Sequence, residues 1–290
     1  MFKSLAAAAA ATLVVLGVAS PASAIAYGEN ARDGAYRFSV LLTMTGLPAD
    51  GGGTRDSSCS GALVAPKWVV TAGHCFRDAA GRKVSRTVAK RTTATIGRAK
   101  VAGRGGHVVE VVAVRQAKTA DVALAELASP VTDVTPLRVA TYPPSSGEDV
   151  RLTGFGLTAD QTPAKRLQTG RFTIVAVGDS LLETSGVAPQ DDTSPCPHDS
   201  GGPYFRDSGG GPELVAVVSA GPGCPHTGPD YSARTDNISD WIAAETTSPG
   251  SSRLWYLAVL IPLALGAVAL PALAYRRRGA DPGSRPRLGR

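Results

Sequence analysis

The chain has 290 residues, 43% of them hydrophobic, and 30 Lys and Arg against 24 Asp and Glu give it a formal net charge of +6. That excess sits at the ends: residues 276–290 hold six arginines against one aspartate, and Lys3 supplies the remainder. The central region is close to neutral, so global charge makes no case for a nucleic-acid partner.

Residues 1–24 read as a secretory signal peptide. Lys3 is the positive n-region, Leu5 to Val18 is apolar, and Ala22-Ser23-Ala24 offers small residues at a cleavage site. The apolar run is short for a membrane span. A cut after Ala24 leaves Ile25 as the new terminus, although Ala24-Ile25-Ala26 satisfies the same rule. Export agrees with the four cysteines, Cys59, Cys75, Cys196 and Cys224, which suit an oxidising compartment and allow three pairings. No C-x-x-C occurs, so a zinc site is disfavoured.

Between Phe38 and Gly221 the chain is a series of short apolar or alternating runs broken by Gly, Pro, Ser and Thr. They include Phe38–Thr43, Gly61–Val64, Trp68–Thr71, Val108–Val114, Val150–Gly154, Arg171–Val177 and Leu214–Ser219. Strand-length runs with frequent turn signals predict an antiparallel all-β architecture. The one amphipathic helix is expected at Asn237–Glu245, where Ile238, Trp241 and Ile242 share a face. The basic residues from Arg82 to Arg104 occur with no acidic residue between Asp78 and Glu110, and are expected on the outward face of strands and hairpin loops. The same lack of carboxylates argues against a calcium loop there. His107 and His226 lie in Gly- and Pro-rich surroundings and are expected at the surface.

After the helix come a polar linker, 247–253, and an uncharged stretch, 254–275. At 1.5 Å per residue that stretch makes a helix of about 33 Å, long enough to cross a bilayer. Trp255 and Tyr256 flank one end, Tyr275 and Arg276-Arg277-Arg278 the other, and the segment is expected to be a transmembrane helix. Residues 276–290 are then a basic cytoplasmic tail, and residues 25–246 are exported, tethered to the cell membrane or released if the tail is cut. No L-P-x-T-G signal is present, which favours a retained anchor. Abundant Ala, Gly and Arg suggest a bacterial, high-GC source.

Three segments carry chemistry. Cys196-Pro-His-Asp-Ser200-Gly-Gly-Pro203 presents a serine beside paired glycines, which permit a tight turn. Thr71-Ala-Gly-His74-Cys75 and Thr119-Ala-Asp121-Val-Ala-Leu124 supply a base and a carboxylate. In this order, His then Asp then Ser, the chain resembles the trypsin/chymotrypsin family of serine endopeptidases, from about Ile25 to Glu245.

That resemblance implies two six-stranded antiparallel β-barrels with the active site between them and a C-terminal helix. It implies Ser200 as nucleophile, His74 as general base and Asp121 as its orienting carboxylate, with the backbone N–H groups of His198 and Ser200 as oxyanion hole. It pairs Cys59 with Cys75 and Cys196 with Cys224, and puts Ser194, Ser219, Ala220, Gly221 and Asp230 around the substrate. Ile25-Ala-Tyr-Gly28 is similar to the family's active N-terminus, whose ammonium pairs with the aspartate before the nucleophile, here Asp199. No cofactor is called for; the partners are polypeptide substrates, the membrane and proteinaceous inhibitors. The sequence departs from the family at His198, where glycine is usual, and at Ala220, where an aromatic residue is common. Ser194 at the pocket base favours an apolar or aromatic residue before the scissile bond, whereas Asp230 on the opposite wall would attract Arg or Lys. His198 also motivates a rival reading, a binding protein on the same fold with impaired catalysis.

Overall fold

The computed structural model describes residues 24–49, 51–158 and 160–247. The expected signal peptide up to Ser23, and the linker beyond Thr247, apolar stretch and basic tail, lie outside the described residues. Among the described residues no helix is long and apolar enough to cross a membrane.

The elements run β1 (Glu29–Asn30), β2 (Ser39–Pro48), β3 (Thr54–Ala65), β4 (Trp68–Ala72), β5 (Arg91–Ile96), β6 (His107–Gln116) and β7 (Val122–Leu127). They continue with β8 (Arg138–Val139), β9 (Asp149–Gly154), β10 (Gln168–Val177), β11 (Leu181–Ala188), β12 (Pro203–Ser208), β13 (Gly211–Ala220), β14 (Asp230–Arg234) and α1 (Ser239–Thr247). Strands β2-β3-β4-β7-β6-β5 close into one barrel. A second ring, β9-β10-β11-β14-β13-β12, closes where β9 pairs with both β10 and β12. Every pairing within the rings is antiparallel, as the run lengths and turn signals predict.

Alternation explains the faces. In β6, Val109, Val111 and Val114 point inward while Val108, Glu110 and Val112 face solvent. Strand β4 is buried throughout, which is why Trp68-Val-Val-Thr-Ala72 reads as a continuous run. Val69 joins the first barrel's interior with Ala123, Ala125 and Leu127 of β7. Trp68 and Val70, with Val122 and Leu124, instead meet Phe205, Leu214 and Val217 of the second barrel. Phe38 stands edge-on to Phe205 there, centroids 5.3 Å apart at 85°. Each such aliphatic side chain contributes about 1.5–3 kcal/mol by leaving water, so this shared cluster fixes one barrel against the other. Ile238 and Ile242 cap it with the face foreseen for the helix, whose α-helical turns start at Ser239 after a 3-10 turn at Asp236–Ile238. The second interior is built on Leu152, Phe172, Ile174, Leu182 and Val215, and Ile25 is buried among them. Disulfides join Cys59 to Cys75 and Cys196 to Cys224.

Candidate active site

Strand β4 ends in a 3-10 turn, Gly73–Phe76, that carries His74 out of the first barrel. Asp121 immediately precedes β7, the strand paired with β4, so the register Ala72↔Val122 brings the two residues together. Backbone reinforces the pairing: Gly73 N–H donates to the Asp121 carbonyl at 3.0 Å, and His74 N–H to Asp121 Oδ1 at 3.0 Å. His74 Nδ1 lies 2.7 Å from Asp121 Oδ2, which also accepts Ser219 Oγ–H at 2.8 Å from β13. Burial pushes the Asp121 carboxyl up, but the bonds and charge from His74, with Ser219 and Lys83, outweigh it and hold the group at about 2. The carboxylate therefore stays ionised and can accept only from the Nδ1–H tautomer, leaving Nε2 free to take a proton.

Ser200 sits in the turn before β12. Gly201 has φ +81°, and a Cβ there would collide with Thr71 Oγ1 and the Ser60 carbonyl, so only glycine permits the turn to press against the first barrel. Ser60 binds it from that side: its N–H donates to the Ser200 carbonyl at 2.9 Å and its Oγ–H to the His198 carbonyl at 3.2 Å. The N–H groups of Asp199, Gly201 and Gly202 are all spent within the turn or on Val218. Those of His198 and Ser200 have no acceptor among the described residues. Two adjacent uncommitted donors beside a serine are what an oxyanion site requires.

The departure at His198 has a structural compensation. Its φ of +76° lies in the left-handed region, which costs a residue with a Cβ. The imidazole returns part of that cost by taking Ser58 N–H at 3.2 Å and meeting Ser58 Oγ at 2.7 Å. Burial, then the nearby Arg55 charge, holds His198 below its ordinary value. A neutral ring whose Nδ1 accepts from Ser58 is the form that fits.

Asp199 is fully buried and accepts Gly156 N–H at 2.8 Å and Cys196 N–H at 2.9 Å. Burial raises its carboxyl to about 8 despite those donors, and no cationic side chain among the described residues pairs with it. Ile25 is likewise fully buried, and its neighbour Ala26 exchanges backbone bonds with Ser194.

Ser200 lines two cavities. The first, about 170 Å³, is bounded by Pro195, Cys196, the Val218–Gly221 strand end, Cys224 and Asp230. The structure thus puts Ala220, Gly221 and Asp230 on its wall, with Ser194 buried one residue behind it, its Oγ accepting His226 N–H at 3.2 Å. Gly221 must lack a side chain, because a Cβ would strike Asp230 Oδ1. Asp230 Oδ1 lies 3.1 Å from His226 Nε2, whereas Oδ2 is buried with no partner. Burial raises Asp230 to about 7, with His226 pulling the other way. The expectation that His226 is a surface residue is corrected: its side chain is only 9% exposed because Asp230 draws it inward. His107 is the surface histidine foreseen, paired with Asp133. The second cavity, about 330 Å³, has His74 and Ser200 on its rim with His198, Arg55 and Arg77.

Sequence reading also missed Lys83. It belongs to the basic stretch expected to face outward, yet its Nζ lies 3.7 Å from Asp121 Oδ1 and 3.3 Å from the Ala120 carbonyl.

Two closed barrels, with His74 bonded to Asp121 and lining the cavity that Ser200 also lines, define a protein of the serine-protease kind. A family model described as Trypsin matches residues 25–242, and the chain belongs to that family. It is similar to Serine protease 56 of Mus musculus, 27% identical over 257 residues, covering 78% of this chain and 39% of that protein. It is 26% identical over 208 residues to Ovochymase of Halocynthia roretzi, covering 64% of this chain and 13% of that protein. Trypsin 5G1 of Aedes aegypti is 30% identical over 211 residues, covering 63% of this chain and 73% of that protein. The chain spans well under two thirds of the first two relatives. All three come from animals, which leaves the expected bacterial source without support.

Proposed function

We propose that the chain is a serine endopeptidase that hydrolyses polypeptides through an acyl-enzyme. The observation that carries this is the bonded row Ser219–Asp121–His74 opening onto the cavity that Ser200 also lines. His74 Nε2 takes the Ser200 proton as Oγ attacks the scissile carbonyl, then returns it to the leaving amine. Asp121 fixes the tautomer and stabilises the imidazolium, and the free N–H groups of His198 and Ser200 receive the oxyanion. Water then repeats the sequence on the ester. Ser200→Ala should abolish cleavage of a protein substrate while the fold is retained; cleavage at the wild-type rate would refute the mechanism.

Two further assignments belong to the same reading. Cutting after Ala24 frees the Ile25 ammonium to neutralise Asp199, whose burial without a cation is otherwise unfavourable. Asp230 on the wall of the 170 Å³ cavity favours Lys or Arg before the scissile bond over the apolar residue suggested by Ser194 alone, because among the described residues it is the one acidic side chain lining that cavity. The signal at 1–24 and the apolar stretch at 254–275 support an exported enzyme tethered to the membrane, with the barrels outside.

A further inference from the structure

The two cavities that meet at Ser200 differ in their lining: Asp230 stands on the wall of one, Arg55 and Arg77 on that of the other. We propose that the His74-side cavity recognises an acidic residue, best a glutamate, in the first two positions after the scissile bond. The assignment rests on Ser200 being the nucleophile. His74 must protonate the leaving nitrogen, so the segment beyond the bond departs over the cavity that His74 lines, while the acyl side occupies the cavity walled by Asp230.

The chemistry of this cavity is set by Arg55 and Arg77, both exposed and neither within salt-bridge reach of a carboxylate among the described residues. Their sequence neighbours are committed elsewhere. Asp56 accepts Gly46 N–H at 2.9 Å, and Asp78 holds Arg82 at 2.8 Å. No Asp or Glu lines the cavity. His198, held neutral by burial, adds a ring rather than a charge. Met44, Leu47 and the Cys59–Cys75 bridge supply an apolar wall behind the guanidiniums. An aliphatic stem ending in a carboxylate matches that combination, and a guanidinium can grip it with two parallel bonds. A lysine in the same place would meet two uncompensated positive charges.

The test uses the processed protein starting at Ile25 and peptides identical up to the scissile bond, with Glu, Gln or Lys at each of the next two positions. A matched 4-nitroanilide, which has no residue beyond the bond, reports the chemistry alone. Because the arginines are solvent-exposed, kcat/KM for Glu should exceed that for Lys by about five- to tenfold at low salt, with Gln between. The ratio should shrink as ionic strength rises. Arg55→Gln with Arg77→Gln should bring it close to unity, and Arg55→Glu with Arg77→Glu should turn the preference toward Lys. Anilide turnover together with equal cleavage of the Glu and Lys peptides would overturn the proposal and leave the serine-protease reading intact. Absence of anilide turnover in protein with a free Ile25 terminus would overturn both.

Discussion

Asp121 and Asp199 are the same residue in two neighbouring turns, and the protein drives them in opposite directions. Asp121, half-buried, meets His74, Ser219 and Lys83 and is held at about 2. Asp199, wholly buried, meets only backbone N–H groups and is pushed to about 8. Hydrogen bonds from neutral donors do not outweigh full desolvation, whereas a cation or an ionisable imidazole does. The first carboxylate is complete as it stands. The second has no cation beside it among the described residues, and the proposed Ile25 ammonium would supply one.

The largest break in that comparison is at the completed site. Asp121→Asn leaves the shape but lets His74 adopt the wrong tautomer, and kcat should fall by about 10³–10⁴-fold with folding unchanged by circular dichroism. A fall of less than tenfold would mean that the carboxylate does not orient the base.

Next comes the waiting one. Protein retaining two residues before Ile25 should lose about 10²–10³-fold in kcat relative to protein starting at Ile25, the usual cost of a misplaced oxyanion donor. The pH dependence separates the two forms further. In the extended form Asp199 has a folded value of about 8, above its unfolded value of about 4, so stability falls as pH rises through that interval. In the processed form the ammonium is the raised group. Its contribution is fully present below an unfolded value of about 8 and is lost as pH rises through the higher folded value. Melting temperatures of the two forms should diverge from pH 5 to 8; parallel curves would contradict an Ile25–Asp199 pair.

Asp230→Asn removes the charge on the acyl-side wall and should cost at least about tenfold in kcat/KM for a Lys or Arg substrate, with little loss for a Leu substrate. A wild-type enzyme that prefers Leu would restore the reading based on Ser194. The smallest effect is expected at Lys83. Its side chain is 36% exposed, so solvent screens it, and Lys83→Met should lower kcat/KM only about two- to threefold. An unchanged kcat/KM would leave Lys83 a packing role only.

What could be read before the fold was known follows the same division. The segments around His74, Asp121 and Ser200 are legible because each is local: a turn glycine, a short apolar strand and a polar residue at its end. The two rings are legible as runs of strand length, and β4 and β7 stand out because both of their faces are covered. His226, Lys83 and Ser58 were hidden for one reason. Each acts on a partner that only the folded chain brings near, Ser58 across 140 residues to His198, and each sits in a stretch whose composition reads as surface.

The central claim is that His74 and Asp121 activate Ser200, and a fluorophosphonate probe addresses it most directly. Labelling followed by peptide mass spectrometry should place the adduct on Ser200 in protein with a free Ile25 terminus, and His74→Ala should remove it. An unlabelled Ser200 in such protein, or labelling that survives His74→Ala undiminished, would contradict the account.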